Sequence, residues 1–361
     1  MRTVGVEEEL LIVDPRTGSA RGLADDVVEA ADEGVETELQ RQQVEIASAP
    51  QQILTELATD LTEQRAAAIA AAADRGVALA ALGTYPGQVQ AQPSSDRRYR
   101  RLVDRLGLPA REQLTCGTHV HVEIADRAEG VAVLDRIRPW LPLLVALSAN
   151  SPFWQAEDTG FASYRHEAWG RFPSAGPTEL FGSVENYDRT VEALVATDAL
   201  LDRGMLYFNA RLSAKFPTVE IRVADVCIRG EHAVLVAALA RALVATAARD
   251  WRAGADPDPV RLELLRVAYW TAARWGLDGD LLDPRSGRPV PARDAIATLL
   301  DHLTDALTET GDLPLVRGLL EQLLTDGTNA RWQRTHVEQG ADWPDLVRAA
   351  VELTREPIRL P

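Results

Sequence analysis

Four segments of this chain alternate apolar and ionisable residues with the period of two that a strand buried on one face requires. In Cys116 to Ile124, CGTHVHVEI, Thr118, Val120, Val122 and Ile124 share one face, while His119, His121 and Glu123 share the other. In TVEIRVAD, Val219, Ile221 and Val223 leave Glu220 and Arg222 together on the opposite side. In VGVEEELLIV, Val4, Val6, Leu10 and Ile12 have one parity and Glu7 and Glu9 the other. In QRQQVEIAS, Val44 and Ile46 oppose Arg41, Gln43 and Glu45. Set in one sheet with helices over the apolar face, these strands gather Glu7, Glu9, Glu45, His119, His121, Glu123, Glu220 and Arg222 on the other. Solvated strand faces are common in antiparallel sheets, but they usually mix Thr, Ser, Lys and Gln. A face made almost wholly of Glu, His and Arg calls for a cation among its carboxylates.

Between and after these strands the pattern is mostly helical. DPRTG reads as a turn leading to a hairpin partner, and residues 24–33 as a short helix. Pro50 opens a long helix reaching about Arg75, where Gly76 stops it. VALAALGTYPG reads as a buried strand, and SSDRRYRRLVDRLGL as a capped, Arg-rich helix from which Tyr99 or an arginine can reach the site. A helix over 128–138 and an apolar core helix in PWLPLLVALSANSPFW precede the loop WQAEDTGFASYRHEAWGRFPSAGP, where Arg165 and Trp169 stand out. GMLYFNARLSAKFPTVEIRVADV supplies two strands. From about residue 231 the chain is mainly helical, over 231–251, 259–275, 291–309, 313–325 and 343–355, with a Gly-containing break at 325–336. No repeat or linker divides it, so residues 1–361 are expected to form one α+β domain.

Composition narrows the chemistry. A net charge of −16 excludes the basic footprint of a nucleic-acid or anionic-membrane surface. Lys215 is the only lysine, which removes a Walker phosphate loop and leaves a single Schiff-base candidate without a supporting motif. Cys116 and Cys227 fall on apolar parities and read as buried free thiols. MRTVGVEEEL lacks the apolar stretch of a signal peptide, and no apolar run reads as membrane-spanning, so a cytoplasmic location is expected.

The segments GVEEELLIVDP, CGTHVHVEI, LSANSPFWQAEDTGFASYR with WGRFPSAGP, and PTVEIRVAD occur here in the order found in the glutamate-cysteine ligase type 2 family, the ATP-dependent carboxylate-amine ligases. From about Val4 to Arg334 the chain resembles that family, which is similar in its catalytic sheet to glutamine synthetase. The resemblance implies a mainly antiparallel sheet with helices on one face and the active site on the other. It implies ATP and Mg²⁺ (or Mn²⁺) as cofactors, amino-acid carboxylate and amine substrates, and amide formation through an acyl phosphate, as in joining glutamate to cysteine. By the same resemblance Glu7, His119 and Glu220 would hold a magnesium at the terminal phosphates of ATP, and Glu9 with Glu45 a second. His121 would contact the nucleotide, Arg222 the transferred phosphoryl group, Arg165 the substrate carboxylate or acyl phosphate, and Arg331 or Arg334 phosphate from a closing C-terminal stretch. Magnesium's preference for a few carboxylates plus phosphate oxygens agrees with such a set.

The chain departs from the family in LYFNARLSAKF, where several relatives carry a tryptophan, and at Glu8, where relatives often carry an aliphatic residue. Glu8 is expected at the sheet edge, outside the site. Glu123 is expected to support a histidine from behind. A metal-dependent amidohydrolase is the alternative, because an H-x-H strand also occurs in barrel hydrolases. It would require alternating strands and helices in the second half, which the pattern lacks. A homodimer is expected on frequency alone.

Overall fold

In the computed structural model, which describes residues 1–361, the alternation in VGVEEELLIV becomes strand β1, Val4–Val13. The other strands are β2 (Val35–Thr37), β3 (Gln43–Ala47), β4 (Ala78–Ala80), β5 (Gly117–Glu123), β6 (Phe153–Trp154), β7 (Glu157–Asp158), β8 (Ala210–Leu212), β9 (Thr218–Asp225), β10 (Asp280–Leu282) and β11 (Pro289–Pro291). Seven of them form one sheet in the order β2-β3-β1-β5-β9-β8, with β4 also beside β1. Every pairing in it is antiparallel. Strand β1 is central. Its start pairs with β5 and its end with β4 on one side, while β3 runs along the other.

The helices are α1 (Ala24–Ala30), α2 (Leu54–Asp74), α3 (Arg97–Leu106), α4 (Leu108–Glu112), α5 (Arg127–Ile137), α6 (Leu141–Ser148), α7 (Tyr164–Trp169) and α8 (Val184–Ala196). They continue with α9 (Gly230–Arg252), α10 (Leu262–Trp275), α11 (Ala292–Thr310), α12 (Leu313–Asp326), α13 (Asn329–Glu338) and α14 (Trp343–Thr354). Helix α9 lies across β1, β5 and β9, and α2 packs on β1, β3 and β4. Val4, Val6, Val120, Val122, Val219, Ile221 and Val223 are buried beneath this layer. Helix α9 is long and apolar enough to cross a membrane, contrary to the expectation that no run is, but 89% of its most apolar stretch is buried in the fold. It is the beam against which the sheet and the C-terminal helices are packed.

Other local expectations are corrected. Residues after DPRTG form only a single bridge, Val13 to Ala20, instead of a hairpin strand. The long helix begins at Leu54, after Pro50. The loop after Trp154 contains the β6–β7 hairpin and α7, and the break at 325–336 contains most of α13.

Glu8 is not at an edge. It points into the helical layer from the central strand, with no exposed surface. Arg65 of α2 grips it with two 2.7 Å bonds from Nε and Nη2, and donates further to the carbonyls of Cys227 (2.7 Å) and Ile228 (3.1 Å). A buried carboxylate persists only when charge and lone pairs are met in this way.

Candidate active site

Pairing across the sheet sets the acidic face. Glu9 lies opposite Glu45, Glu7 opposite His119, and His121 opposite Glu220. The β5–β9 register shifts between Thr118 and Val120, where Arg222 and Val223 of β9 together oppose His119, so the extra residue of the bulge lies on β9 beside Arg222. A bulge re-aims a side chain and is common beside active sites. The resulting cleft, of about 490 Å³, is lined by Glu7, Glu9, Glu38, Glu45, His119 and His121, with Glu220 and Arg222 on its far side.

Three sets of donor atoms converge within 4.8 Å: Glu7, Glu45 and His119; Glu7, His121 and Glu220; and Glu9, Glu38 and Glu45. The grouping of Glu7, His119 and Glu220 expected from the sequence is not among them, because register places Glu220 across from His121. Glu220 is instead gripped by Arg211, at 2.7 and 3.1 Å, and by Arg222.

Each histidine keeps its Nε2 free of protein hydrogen bonds. His121 Nδ1 lies 2.9 Å from Thr218 Oγ1, and its Nε2 is 3.2 Å from Glu7 Oε1 but out of line for a hydrogen bond. His119 Nδ1 is 3.4 Å from Glu7 Oε2, and its Nε2 is buried without a partner. Burial, then the charge of Arg222, lowers the His119 pKa to about 4, leaving a neutral imidazole near pH 7. Neutral imidazole is the form that binds metal.

Charge on the acidic side is divided. Burial raises the Glu7 pKa, but the His119 and His121 imidazoles beside it outweigh this and hold it below the carboxylate range. Glu9 is pushed up to about 8 by burial and by Glu38, despite Arg165 and the 2.7 Å bond from the Gly117 N–H. Glu38 is raised chiefly by burial, and Glu45 well raised by burial and then by Glu38, Glu7 and Glu9. Protonated carboxyls beside unpaired imidazole nitrogen are what a metal site looks like without its charge. The donor set, carboxylates with one or two imidazoles, fits a hard divalent cation.

At the other end of β5 the site turns cationic. Arg165 of α7 is 3% exposed and lies beside Arg222 in a small cavity of about 40 Å³ that Trp169 and Tyr207 also line. Behind it, fully buried Asp225 accepts from the Asn150 N–H (2.8 Å), Ser151 Oγ (2.7 Å) and Ser163 Oγ (2.8 Å), and stands 4.0 Å from Arg165 Nη1. Asp225 thus ties both ends of the 151–163 segment to β9 and orients α7. Arg165 Nε and Trp169 Nε1 are buried donors without partners. Two such donors in one cavity define a place for an acceptor, since a buried polar group left unmet is costly.

The structure brings together Glu7, Glu9, Glu45, His119, His121, Glu220, Arg222 and Arg165. It does not bring in Arg331 or Arg334. Arg334 bonds Asp158 at 2.7 and 2.9 Å and the Phe161 carbonyl, while Arg331 points to Asp278 at 3.7 Å. Gln333, between them, anchors α13 on Asn150, which fixes that helix against the back of the 151–163 segment. Glu123 turns away too: its Oε2 accepts from the Thr3 N–H (2.9 Å) and Oγ1 (3.2 Å), so it supports no histidine. Sequence reasoning missed Glu38, Arg211 and Asp225. Glu36 and Glu38 alternate with Val35, Thr37 and Leu39, a second E-x-E signal of the kind that marked Glu7 and Glu9.

An antiparallel sheet roofed by helices, with Glu, His and Arg converging on its open face, agrees with the arrangement that the resemblance to the carboxylate-amine ligases implies and has no place in an alternating barrel hydrolase. The particular kind follows from comparison. The chain belongs to glutamate-cysteine ligase family 2, whose model matches residues 3–351. It is 50% identical over 98% of its length to the whole of a Streptomyces avermitilis protein named "Putative glutamate--cysteine ligase 2-1". A Streptomyces coelicolor protein named "Putative glutamate--cysteine ligase 2" is 48% identical, over 98% of this chain and 99% of its own. Among solved structures, the fold is similar to the glutamate-cysteine ligase of Francisella tularensis in complex with AMP, with a TM-score of 0.71 at 14% identity over 98% of this chain and 89% of that one. It is also similar to a bifunctional glutathione synthetase from Pasteurella multocida, with a TM-score of 0.70 at 16% identity over 98% of this chain and 52% of that one.

Proposed function

We propose that the protein joins the side-chain carboxylate of glutamate to the amine of cysteine, driven by ATP. The observation that carries this reading is the polarity of the site along β5, with a carboxylate-histidine cluster at one end and the buried, unpaired donors of Arg165 and Trp169 at the other. Family membership and the names of the relatives supply the substrate pair.

In the first step an oxygen of the glutamate side-chain carboxylate attacks the γ-phosphorus of ATP, and ADP leaves with the bond it breaks. The cysteine amine then attacks the acyl carbon, phosphate departs, the amine loses a proton, and an amide remains. Glu9, Glu38 and Glu45, and Glu7 with Glu45 and His119 or with His121 and Glu220, would hold magnesium or manganese, which would neutralise phosphate charge. Arg222 stabilises charge on the transferred phosphoryl group, and its ion pair with Glu220 keeps its fork aimed across the cleft. Arg165 and Trp169 hold a carboxylate of the glutamate, and Asp225 positions Arg165 for it. His121 faces the nucleotide from the strand end nearest Thr218.

The test is phosphate release from magnesium-ATP against a panel of amino-acid pairs, with product mass read in parallel. Release that needs both glutamate and cysteine, with the mass of their amide, is expected. Release with a different pair alone would reassign the substrates, and no pair-dependent release would sink the ligase reading.

A further inference from the structure

Residues 95–109, which include α3, border the cleft through Arg98, Tyr99 and Leu102. Both feet of this segment stand on neighbouring residues of the β2–β3 connection. Before it, the Ser94 N–H donates to the Leu39 carbonyl at 2.8 Å; after it, Gln40 Nε2 donates to the Ala110 carbonyl at 2.8 Å. Between the feet little packing holds it. Leu102 is the only fully buried residue of α3, and apart from α4 no strand or helix packs closely on that helix. Gly107, at the end of α3, has a φ of +67° and open space where a side chain would stand, so the chain can bend there. A segment with so few buried apolar contacts opens more readily than the core.

Its free edge is tied by ion pairs to the loop after α8. Arg98 grips Asp202 with a fork, Nε to Oδ2 at 2.8 Å and Nη2 to Oδ1 at 2.9 Å, and Arg105 Nη1 stands 2.9 Å from Asp198 Oδ1. Asp202 is itself fixed, because it caps the 3₁₀ turn Arg203–Met205 by accepting from the Gly204 N–H at 2.8 Å. Gly204 leaves room for the fork: a methyl group there would come within 2.7 Å of Arg98 Nη2. Half-exposed pairs of this kind are weak, so the tie can hold the segment shut and still release it.

Beneath it, Trp169, Tyr207 and Arg222 line both the cleft and the Arg165 cavity. The acyl phosphate of the proposed reaction would form at that junction, between the phosphoryl contact and the acid contact. Left open to water it is lost. A water oxygen bonds to the acyl carbon, the bond to phosphate breaks with its electron pair leaving on phosphate, a proton is released and the free acid returns. ATP is then consumed with no amide made.

Resting on the acyl-phosphate reading above, we infer that residues 95–109 are a flap that opens to admit the amine and shuts water out before the amine attacks, with the Arg98–Asp202 pair as its latch. Arg98 and Asp202 are positioning residues, which act through the flap on the fate of the intermediate and not on its formation.

The test reads phosphate and amide in parallel during turnover of the intact protein with magnesium-ATP, glutamate and cysteine. The quantity followed is uncoupled phosphate, the excess over amide. Arg98→Met and Asp202→Asn, the second of which keeps a capping oxygen, are each expected to raise this excess by up to about fivefold, the shift between open and shut that one exposed pair can supply. Total phosphate release should not fall. The double variant should rise no further, because the pair is lost only once. Thermal midpoints equal to wild type show that each variant folds, and Gly204→Ala, which crowds the fork without removing a charge, should raise the excess as well. An excess at the wild-type level in all three single variants, or a double variant that sums two separate effects, overturns the latch while the ligase reading stands. Wild-type protein that releases no phosphate with any amino-acid pair removes the ligase reading and this inference together.

Discussion

Gly117 has no side chain where the Arg165 guanidinium lies. A methyl group there would come within 2.1 Å of Arg165 Nη2 and 2.6 Å of its central carbon. The same residue donates its N–H to Glu9 at 2.7 Å. One glycine thus sets how closely the cationic end of the site approaches the acidic end.

Gly117→Ala is therefore expected to push Arg165 out of its cavity and lower kcat/KM for the acid by roughly 10²-fold, the penalty for misplacing a positioning group by about 1 Å. The fold should persist, because alanine is tolerated in a strand. Circular dichroism checks the fold and amino-acid-dependent phosphate release checks the loss. Wild-type kinetics would show that Arg165 does not meet the substrate.

Glu220→Gln keeps the shape of a donor and removes its charge. Turnover is expected to fall by at least about 10²-fold and manganese affinity, read by electron paramagnetic resonance, to weaken with it. Arg222→Lys should not restore activity if the phosphoryl contact is two-pronged. An unchanged manganese signal in Glu220→Gln would remove Glu220 from the metal ligands.

The metal-free protein should lose stability as pH rises from about 6.5 to 8, above the range in which the buried imidazoles of His119, His166 and His232, all lowered to about 4, act in the opposite sense. Glu9 binds its proton up to about pH 8 in the fold but releases it near the ordinary carboxylate value when unfolded. The native state therefore holds more protons across that window, so its stability falls as pH rises through it. Glu38 and Glu45 act in the same direction. Thermal midpoints with a chelator should decline over this range, magnesium should flatten the decline, and proton release should accompany metal binding at pH 7. A midpoint that rises with pH in the chelated protein, and stays parallel in Glu9→Gln, would contradict this.

Breaking the Glu8–Arg65 pair from one side leaves a buried charge alone. Arg65→Met is expected to destabilise by about 3–5 kcal/mol, and adding Glu8→Leu to recover most of it. Urea unfolding of the single and double variants measures both. Equal losses in single and double variants would mean that shape, not charge, governs this contact.

Much of the site was legible in the alternation of four short segments, because strand geometry alone decides which face a side chain occupies. That is how Glu7, Glu9, Glu45, His119, His121, Glu220 and Arg222 could be assembled without coordinates. Parity does not say which residue stands opposite which, so the pairing of Glu220 with His121 emerged only from the register and its bulge. It also stops where strands stop. Glu38 lies one residue past β2 and Asp225 at the end of β9, and the arginines of α13 follow the packing of a helix whose direction no local pattern encodes. Family membership gave the order of the segments but could not place Arg331 and Arg334.

The three consecutive glutamates of β1 live in two different surroundings, the outer two over the cleft and the middle one against Arg65. Sliding the strand by a single residue would exchange them, leaving Glu7 and Glu9 under the helices with one guanidinium between them and Glu8 alone over the cleft. The neighbouring apolar positions would be inverted in the same movement. The buried pair therefore acts as a key cut for one alignment, so that a chain that folds at all folds with its cleft-facing carboxylates already in place.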